Sequence, residues 1–311
     1  MDETNTEPSL SARSSLYKYV DIAGLRRILQ GSIRFTQPSA FNDPFELLPE
    51  IVLPLGEAER RINVSFDILA QRRHPPIGEA DNIPENHCSN DATSRDIVQQ
   101  LNSLIGILCL SKTPESLSMW SHYADQYTGA VIEFDASHEF FSGQIEVEYR
   151  KIRPRRRFSD YLTGEPIPIS ELCVKSDQLA QEEEVRVVRT LSECENTGQP
   201  DPRGFPVYIR GIPIECIKSV ILGERTNLNV QREIYSRLKE TDVALSLAAV
   251  DGAGYSFRFE RIKFNVPVSR VGPMMSPRTA HIFADNQSVR AEFARWMIER
   301  HPMSKIVNKP V

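Results

Sequence analysis

Near the start of the chain, hydrophobic and polar residues show two periodicities, one typical of a helix and one typical of a strand. Residues 16–20 are rich in strand-forming aromatics, and Asp21 then caps a predicted helix whose apolar positions recur at helical spacing. Gly31 ends this helix, and residues 32–36 alternate polar and apolar side chains like a half-buried strand. The pattern predicts a strand–helix–strand unit, followed by a turn at residues 41–46 that is rich in Asn, Asp and Pro.

Apolar periodicity along the rest of the chain predicts short helices alternating with strands. Helices are expected near residues 57–73, 94–104, 119–125, 229–240 and 288–300, with a loop over residues 74–93. Strands are expected at residues 106–111, 129–135, 145–149, 185–188 and 216–222, and a hairpin at residues 244–250 and 255–262. These elements predict an α+β fold with mixed, mainly antiparallel sheets and flanking helices.

The chain of 311 residues is long enough for one large domain or two small ones, at roughly 100–200 residues per domain. No stretch has the composition of an interdomain linker, which favours one domain with additions at its ends. We expect a disordered polar tail at residues 1–15, a core domain at residues 16–225 and a C-terminal extension at residues 226–311 that packs on the core.

Composition and charge exclude some classes of protein. With 40% hydrophobic and 25% charged residues, the chain has the composition of a globular protein rather than a disordered one. The formal net charge of −5 excludes a basic footprint over the whole chain, of the kind that grips nucleic acid without specificity. A local basic patch is still compatible with this balance.

Neither a membrane span nor a cysteine framework is expected. The longest apolar stretches, near residues 104–110 and 244–250, are far shorter than the roughly 18 residues that span a bilayer. The N-terminus lacks the basic start and apolar run of a signal peptide, so we expect a cytoplasmic protein without a membrane partner. The five cysteines are scattered, which argues against both a disulfide framework and a Cys-rich zinc site.

The familiar sequence motifs of catalysis do not occur. The chain has no phosphate loop, no dinucleotide-binding glycine triplet after the first strand, no paired histidines of a zinc protease and no Gly-x-Ser-x-Gly elbow. Its six histidines are spread along the chain. We therefore expect no metal centre.

Lys18 lies between two tyrosines on the first predicted strand. Because side chains alternate along a strand, Tyr17 and Tyr19 share one face and Lys18 occupies the other. In one interpretation the tyrosines are core residues and Lys18 is solvated. In the other, Lys18 points into a cleft and holds a phosphate or a carboxamide-bearing ligand.

A second cluster places an aromatic platform beside polar groups at Trp120, Ser121, His122 and Tyr123. As structural residues, Trp120 anchors the core and His122 is a hydrogen-bonded histidine. As functional residues, the group stacks a base or a nicotinamide ring and holds its polar edge. The sequence leaves both interpretations open.

The acidic run at residues 182–184 precedes a predicted strand. If Val185 and Val187 face inwards, Glu184 and Arg186 share the opposite face with Glu182, where neighbouring like charges raise at least one pKa. Such a run is usually a solvated face. A carboxylate in this place is also suited to orienting a ribose hydroxyl and stabilising positive charge on a sugar ring, as glycosidic cleavage requires.

The strongest basic cluster has two interpretations as well. Its six basic residues lie within eight positions: Arg150, Lys151, Arg153, Arg155, Arg156 and Arg157. Such a run is a solubilising surface or a site for an acidic partner, or it is a patch that contacts nucleic-acid phosphates.

Several of these segments, taken in order, resemble a bacterial family known as domain of unknown function 2971. The segments are residues 16–19, 28–29, 33–36, 41–46, 108–111, 119–124, 129–134 and 182–186. The resemblance covers roughly residues 16–225 and implies no established activity. Val185 and Leu179 stand where the family usually carries aromatics.

The opening strand, helix, glycine and second strand are also similar to the start of ADP-ribosyltransferase-like folds. That resemblance implies a His or Arg on the first strand against NAD, and a catalytic Glu on a late strand. Lys18 and Glu184 fall at these positions, and Tyr123 or Ser121 supplies the aromatic or hydroxyl platform. Lys18 is neither His nor Arg.

We therefore expect a protein that binds a nucleotide, NAD in particular, and transfers or cleaves ADP-ribose as a bacterial defence or toxin component. Glu184 and His122 are the candidate catalytic residues. The residues expected to hold the cofactor are Lys18, Tyr17, Trp120, Ser121, Tyr123, Asn42, Asp43 and Arg186. The macromolecular target, protein or nucleic acid, is unknown, and a homo-oligomer or a partner protein is compatible with this function.

Two other classes of protein stay open at this point. One is a non-catalytic sensor or nucleic-acid-binding module that uses the basic run at residues 150–157, with a steep dependence of binding on salt. The other is a metal-dependent nuclease that uses Asp43, Glu46 and Glu184.

Overall fold

The computed structural model describes residues 15–54, 64–68, 87–89, 91–161 and 166–305. Their strands are β1 (Ser15–Val20), β2 (Ser32–Phe35), β3 (Glu50–Pro54), β4 (Phe66–Asp67), β5 (His87–Ser89), β6 (Ile105–Ser111), β7 (Ala130–Asp135), β8 (Ile145–Glu146), β9 (Glu148–Arg150), β10 (Arg155–Arg157), β11 (Ile167–Pro168), β12 (Val174–Ser176), β13 (Glu184–Thr190), β14 (Glu195–Pro200), β15 (Pro206–Gly211), β16 (Ile217–Leu222), β17 (Ala244–Val250) and β18 (Phe257–Lys263). Their α-helices are α1 (Ile22–Leu29), α2 (Asp91–Leu104), α3 (Leu117–His122), α4 (Leu228–Leu238) and α5 (Val289–Glu299). The fold is α+β, as predicted.

One large sheet organises the molecule. It has eight strands in the order β18-β17-β16-β7-β1-β6-β13-β8. Neighbouring strands are antiparallel except β16 and β17, which are parallel. The segment beyond Thr226 contributes β17 and β18 at one edge of the sheet, and its helices α4 and α5 pack on the largest core.

The sheet is weakly joined at its centre. β1 pairs with β7 along all six of its residues, and β6 pairs with β13 along all seven of its residues. Between β1 and β6, however, the register contains only the pair Tyr17 and Ser111. Four residues away from Ser111, β6 bridges to Thr36 at the end of β2 through Ile107. The two halves of the sheet therefore separate next to Cys109, and we call this opening the seam.

Apolar side chains pack on both faces of the sheet. The largest core lies under α1, α4 and α5 and includes Ile132, Phe134 and Leu245. A smaller cluster on the other face surrounds Trp120 and Tyr19, and a third cluster joins α2 to β6 and β13. Because the faces of a strand alternate, β1 places its two tyrosines toward the Trp120 cluster and leaves Lys18 on the opposite side.

The first strand–helix–strand unit is confirmed in detail. Asp21 caps α1 by accepting a hydrogen bond from the Gly24 amide at 2.6 Å. Gly31 follows the helix with a φ of 88°, a left-handed conformation that glycine adopts without strain. Strand β2 then buries Ile33 and Phe35 while Arg34 faces the other way.

The remaining predictions are confirmed in most places and wrong in two. The predicted strand at residues 106–111, the hairpin of β17 and β18 and the C-terminal helix all occur within a few residues of their expected bounds. The helix predicted at residues 57–73 does not run through its described part, because Phe66–Asp67 forms a strand that pairs with β11. Residues 1–14 of the predicted tail lie outside the described residues, and Ser15 begins β1. Most of the predicted loop at 74–93 also lies outside them, but its described part is not a loop, because it contains β5 and the first turn of α2. No helix in the described part of the chain is long and apolar enough to cross a membrane.

Candidate functional site

A cavity of about 210 Å³ opens at the seam, and we call it the inner cavity. It is walled by β1 and β6, by the segment that follows β2 and by the start of β13. Seven of the residues selected from the sequence line it: Tyr17, Lys18, Asn42, Asp43, Glu46, Tyr123 and Glu184. The fold thus brings together side chains that are more than 160 residues apart in the chain.

Glu184 is the most tightly held carboxylate in the wall. Arg186 Nε donates to its Oε1 at 2.8 Å, and Lys175 Nζ donates to its Oε2 at 3.1 Å. Burial opposes ionisation of this side chain, but the positive charges of Arg186 and Lys175 outweigh it and lower the Glu184 pKa to about 2. The Tyr149 hydroxyl also accepts a hydrogen bond from the Glu184 backbone amide at 2.8 Å. Glu184 therefore presents a fixed negative charge at neutral pH.

A second carboxylate, Glu46, lies beside the same arginine. Arg186 Nη1 is 2.6 Å from Glu46 Oε1, and both side chains are buried. Here burial is the larger effect and raises the Glu46 pKa, although the Arg186 charge opposes it. Glu46 lines the inner cavity, so the site combines a carboxylate with a lowered pKa and one with a raised pKa. Such a pair is suited to separate electrostatic and proton-transfer roles.

Glu182 links the cluster to the outer wall. Lys175 Nζ donates to Glu182 Oε2 at 2.6 Å, and the Tyr123 hydroxyl donates to Glu182 Oε1 at 3.2 Å. Burial opposes a positive charge on Lys175, but Glu184 and Glu182 together raise its pKa. Lys175 therefore stays charged and shares its proton donors between the two glutamates.

Lys18 differs from the other cations of the site. Its ammonium donates to the Cys109 carbonyl oxygen at 2.8 Å, across the seam. Within the described residues no carboxylate lies within ion-pair distance of it. Burial lowers the Lys18 pKa, and the nearby Arg34 charge lowers it further, against the opposing effects of Cys109 and Glu184. Lys18 is thus an enclosed cation with donor capacity left for a ligand.

Backbone strain is concentrated around the inner cavity. Leu47, with φ 53°, follows Glu46 directly, and Glu183, with φ 43°, lies between two lining glutamates. Residues 125–127 all have positive φ, between 46° and 72°, and begin two residues after Tyr123. Non-glycine residues in this region cost of order 1–3 kcal/mol each and cluster at functional sites. The described residues contain no further non-glycine residue with positive φ.

The hairpin of β14 and β15 reaches over the entrance. Arg203, in its turn, donates to Asn42 Oδ1 at 3.0 Å and to the Ala40 carbonyl oxygen. Asp201, two residues earlier, accepts a hydrogen bond from Arg34 Nη2 at 2.9 Å. The hairpin therefore fastens two separate walls of the site. Strand β14 is fully exposed and strongly polar, so it has no hydrophobic pattern from which a strand could be predicted.

His122 lies outside the inner cavity. Its Nδ1 is 2.8 Å from the Ser118 carbonyl oxygen, and its exposed ring lines a neighbouring groove of about 810 Å³ that we call the outer groove. Lys18, Arg34 and Tyr123 line both spaces, so the outer groove is continuous with the inner cavity. His122 therefore lies beside the cavity that Glu184 lines and not within it.

Three further expectations about the site are corrected by burial and position. Trp120 is completely buried, donates to the Pro114 carbonyl oxygen at 2.8 Å and packs edge to face on Tyr19, so it cannot stack a ligand. Ser121 lines neither the inner cavity nor the outer groove. Arg186 is also completely buried and lies behind Glu184, where it positions a carboxylate rather than a ligand.

Several side chains of the basic run at residues 150–157 form ion pairs with neighbouring carboxylates. Arg150 pairs with Glu148, Arg155 Nε lies 2.8 Å from Glu50 Oε2, and Arg156 pairs with Glu171. The guanidinium of Arg153 lies over the Phe45 ring at 5.7 Å, and Arg157 also has an interaction partner. Lys151 is exposed. The run therefore ties β10 to its surroundings, which leaves less charge for nucleic acid than the sequence suggests.

Some residues that line the inner cavity were not selected as site residues from the sequence. Lys175, Arg34 and Arg203 line the inner cavity, and of these only Arg34 lies in a segment singled out in the sequence, residues 33–36. Arg34 had the clearest signal, since it alternates with two apolar neighbours on β2 and so had to face away from the core. Within the described residues no group of three or more His, Cys, Asp or Glu side chains is arranged to hold a metal ion.

Comparison with known proteins finds no family model, no curated protein and no solved structure that matches this chain.

Proposed function

We propose that this protein binds NAD at the seam and breaks the bond between nicotinamide and ribose, transferring the ADP-ribose to a target group or to water. The single observation that carries the proposal is the convergence of Lys18, Tyr123 and the ionised Glu184 on one cavity. The same residues were selected from the sequence by their similarity to ADP-ribosyltransferase-like folds. We also propose membership of the family known as domain of unknown function 2971, on the order of its motifs, and a cytoplasmic location.

The two buried glutamates of the wall have separate tasks in this reaction. Glu184 accepts a hydrogen bond from a ribose hydroxyl and stabilises the positive charge that develops on the sugar ring as the bond breaks. Its two cationic partners hold it in place and keep it ionised. Nicotinamide leaves with the electron pair of the broken bond, and an oxygen of water or of the target bonds to the ribose carbon and loses a proton. Glu46, whose pKa is raised, is the candidate acceptor for that proton.

Electrostatic stabilisation of this kind supports the reaction because it acts where water is largely excluded. Glu184 is 5% exposed and Glu46 is equally buried. A fixed charge in such a place interacts with a developing positive charge much more strongly than it would in water. The strained backbone at Glu183 holds the adjacent carboxylates in a defined orientation.

The proposal is tested by incubating the purified protein with NAD and measuring nicotinamide release by chromatography. Glu184→Gln is expected to reduce release by about 10²-fold or more, since removal of one electrostatic stabiliser has effects of that size. Glu183→Gln is the matched control, because it makes the same change at an exposed residue next door. It is expected to leave the rate unchanged.

Because Glu184 also belongs to a buried ion cluster, folding is monitored with activity. Circular dichroism and thermal melting establish whether Glu184→Gln is folded, and calorimetry measures whether it still binds NAD. A folded variant that binds NAD but does not cleave it supports the proposal. If the wild-type protein neither releases nicotinamide nor modifies any protein or nucleic acid in a lysate supplied with labelled NAD, the proposal is refuted.

A further inference from the structure

Two cations meet where the inner cavity joins the outer groove. Lys18 and Arg34 line both spaces, and Thr36 lies beside them with its hydroxyl group. The charge of Arg34 acts on Lys18, so the two side chains are electrostatic neighbours. Like charges enclosed together repel each other, and the arrangement is relieved by a shared anion.

Both cations have unused donors. Lys18 Nζ is bonded to the Cys109 carbonyl oxygen, which leaves two of its three protons. Arg34 donates from Nη2 to Asp201, and its side chain is 27% exposed, so further donors at the end of the guanidinium group are open to a ligand.

The acidic groups nearby are already engaged. Glu184 is ion-paired with Lys175 and Arg186 on its own side of the site. The three aspartates that line the outer groove accept hydrogen bonds within the protein: Asp21 from the Gly24 amide, Asp125 from Thr128 and Asp201 from Arg34. At the junction, Arg34 is paired with Asp201 at 2.9 Å, whereas Lys18 has no carboxylate within ion-pair distance among the described residues.

The two volumes indicate how a ligand lies across this junction. The inner cavity, at about 210 Å³, is smaller than the roughly 300–1,000 Å³ of ordinary ligand pockets. The outer groove, at about 810 Å³, lies within that range and runs from the junction to β14. One group of a ligand fits the inner cavity and a larger remainder fits the groove.

We infer that Lys18 and Arg34 form an anion subsite that receives the phosphate or diphosphate of a ligand extending from the inner cavity into the outer groove. The ligand class is a nucleotide with substituents on both sides of its phosphates. The inference deepens the proposed function, and rests on it for the identity of the group in the inner cavity. The anion subsite itself depends only on the two cations.

Calorimetric titration with inorganic pyrophosphate tests the subsite apart from any reaction. Wild-type protein is expected to bind pyrophosphate and ADP, and to bind adenosine much more weakly. Lys18→Met and Arg34→Gln are each expected to weaken pyrophosphate binding by about tenfold or more, since each removes a charge-assisted hydrogen bond. The control is Arg26→Gln, because Arg26 is exposed and pairs with Glu233 away from the site.

The path of the ligand is tested by filling the groove. Gln199 is exposed on β14 and lines the outer groove, so Gln199→Trp is expected to weaken NAD binding by about tenfold while pyrophosphate binding stays unchanged. Equal loss of both ligands, or of neither, contradicts the extended path. Thermal melting establishes that each variant is folded.

The outcomes separate the subsite from the enzymatic proposal. If pyrophosphate binds through Lys18 and Arg34 but NAD is not cleaved, the subsite stands and the proposed reaction fails. If NAD is cleaved, yet neither substitution changes pyrophosphate binding or the KM for NAD, the reaction stands and the subsite is overturned. Absence of pyrophosphate binding by folded wild-type protein also overturns it.

Discussion

Replacing Arg186 by methionine is the sharpest test of the buried cluster. Arg186 is completely buried and pairs with two carboxylates, Glu184 at 2.8 Å and Glu46 at 2.6 Å. Methionine keeps much of the side-chain volume but removes the charge. The substitution leaves two buried carboxylates with one fewer cation between them, and we expect a large loss of stability.

The size of this loss can be worked out in two ways. Each unit of pKa corresponds to ~1.4 kcal/mol, so lowering the Glu184 pKa from 4.5 to about 2 represents about 3 kcal/mol of net stabilisation of the charged carboxylate, after the opposing effect of burial. Arg186 is the largest favourable contributor to that shift. Measurements on other proteins in which one partner of a buried pair was removed give about 3–5 kcal/mol. We therefore expect Arg186→Met to lower the free energy of unfolding by about 3–5 kcal/mol.

Urea denaturation followed by fluorescence measures this quantity, and its pH dependence identifies the cause. Without Arg186, the folded-state pKa values of Glu184 and Glu46 rise, so both carboxyls protonate at a higher pH and lose their buried charge. A carboxyl with a raised folded-state pKa gains stability as pH falls through that value. The difference between wild type and variant is therefore expected to shrink between about pH 7 and pH 5.

Two comparisons make the result decisive. Arg26→Met removes an exposed pair with Glu233 and is expected to cost at most about 1 kcal/mol. The double variant Arg186→Met, Glu184→Gln is expected to recover part of the lost stability, because it removes one of the stranded charges. A loss below about 1 kcal/mol for Arg186→Met, or a loss that does not change with pH, would falsify the assignment of a buried ion cluster.

Two further substitutions probe backbone packing and the support of the site. In Gly129→Ala, the new Cβ would clash with a carbonyl oxygen of β1, so we expect the melting temperature to fall by several degrees or the variant not to fold. In the control Gly252→Ala, the new Cβ meets nothing within 4 Å, and we expect the variant to melt like wild type. Tyr149→Phe removes the hydroxyl that accepts the Glu184 amide hydrogen bond, so we expect it to lower the free energy of unfolding by about 1–3 kcal/mol. The control Tyr255→Phe changes a residue that is 99% exposed, and we expect it to leave the free energy of unfolding unchanged. Equal effects from the two tyrosine variants would contradict the hydrogen bond.

Local pattern was enough to predict the strand–helix–strand unit and most central strands. Asp21, Gly31 and the alternation over β2 each have a local physical cause, so they can be read without knowing the fold. The hairpin of β14 and β15 has no such cause. Its outward strand is fully exposed, and its hydrogen bonds to β2 and its contact with the 40–42 segment are long-range.

The site was predictable where a residue's face followed from alternation. Alternation separated Lys18 from the tyrosines beside it, whereas the expectation that Lys18 and Glu184 share one site came from the similarity to ADP-ribosyltransferase-like folds. Both residues line the inner cavity. Trp120 and His122 were assigned to that cavity from residue type alone, and neither of them lines it. Trp120 finds an acceptor for its indole N–H within the core, and His122 lies on the exposed side of a short helix.

The seam explains why a site exists at this place in the sheet. If β1 and β6 were paired along their whole length, backbone groups would meet at Cys109 and the space now lined by Lys18 would be closed. Instead, pairing is limited to Tyr17 and Ser111, and the Lys18 ammonium bridges to the Cys109 carbonyl oxygen. An interrupted sheet thus supplies both the cavity and a cation at its edge. The full ladder of β6 with β13 then carries Glu184 to the same opening, which is the physical basis for the reaction proposed there.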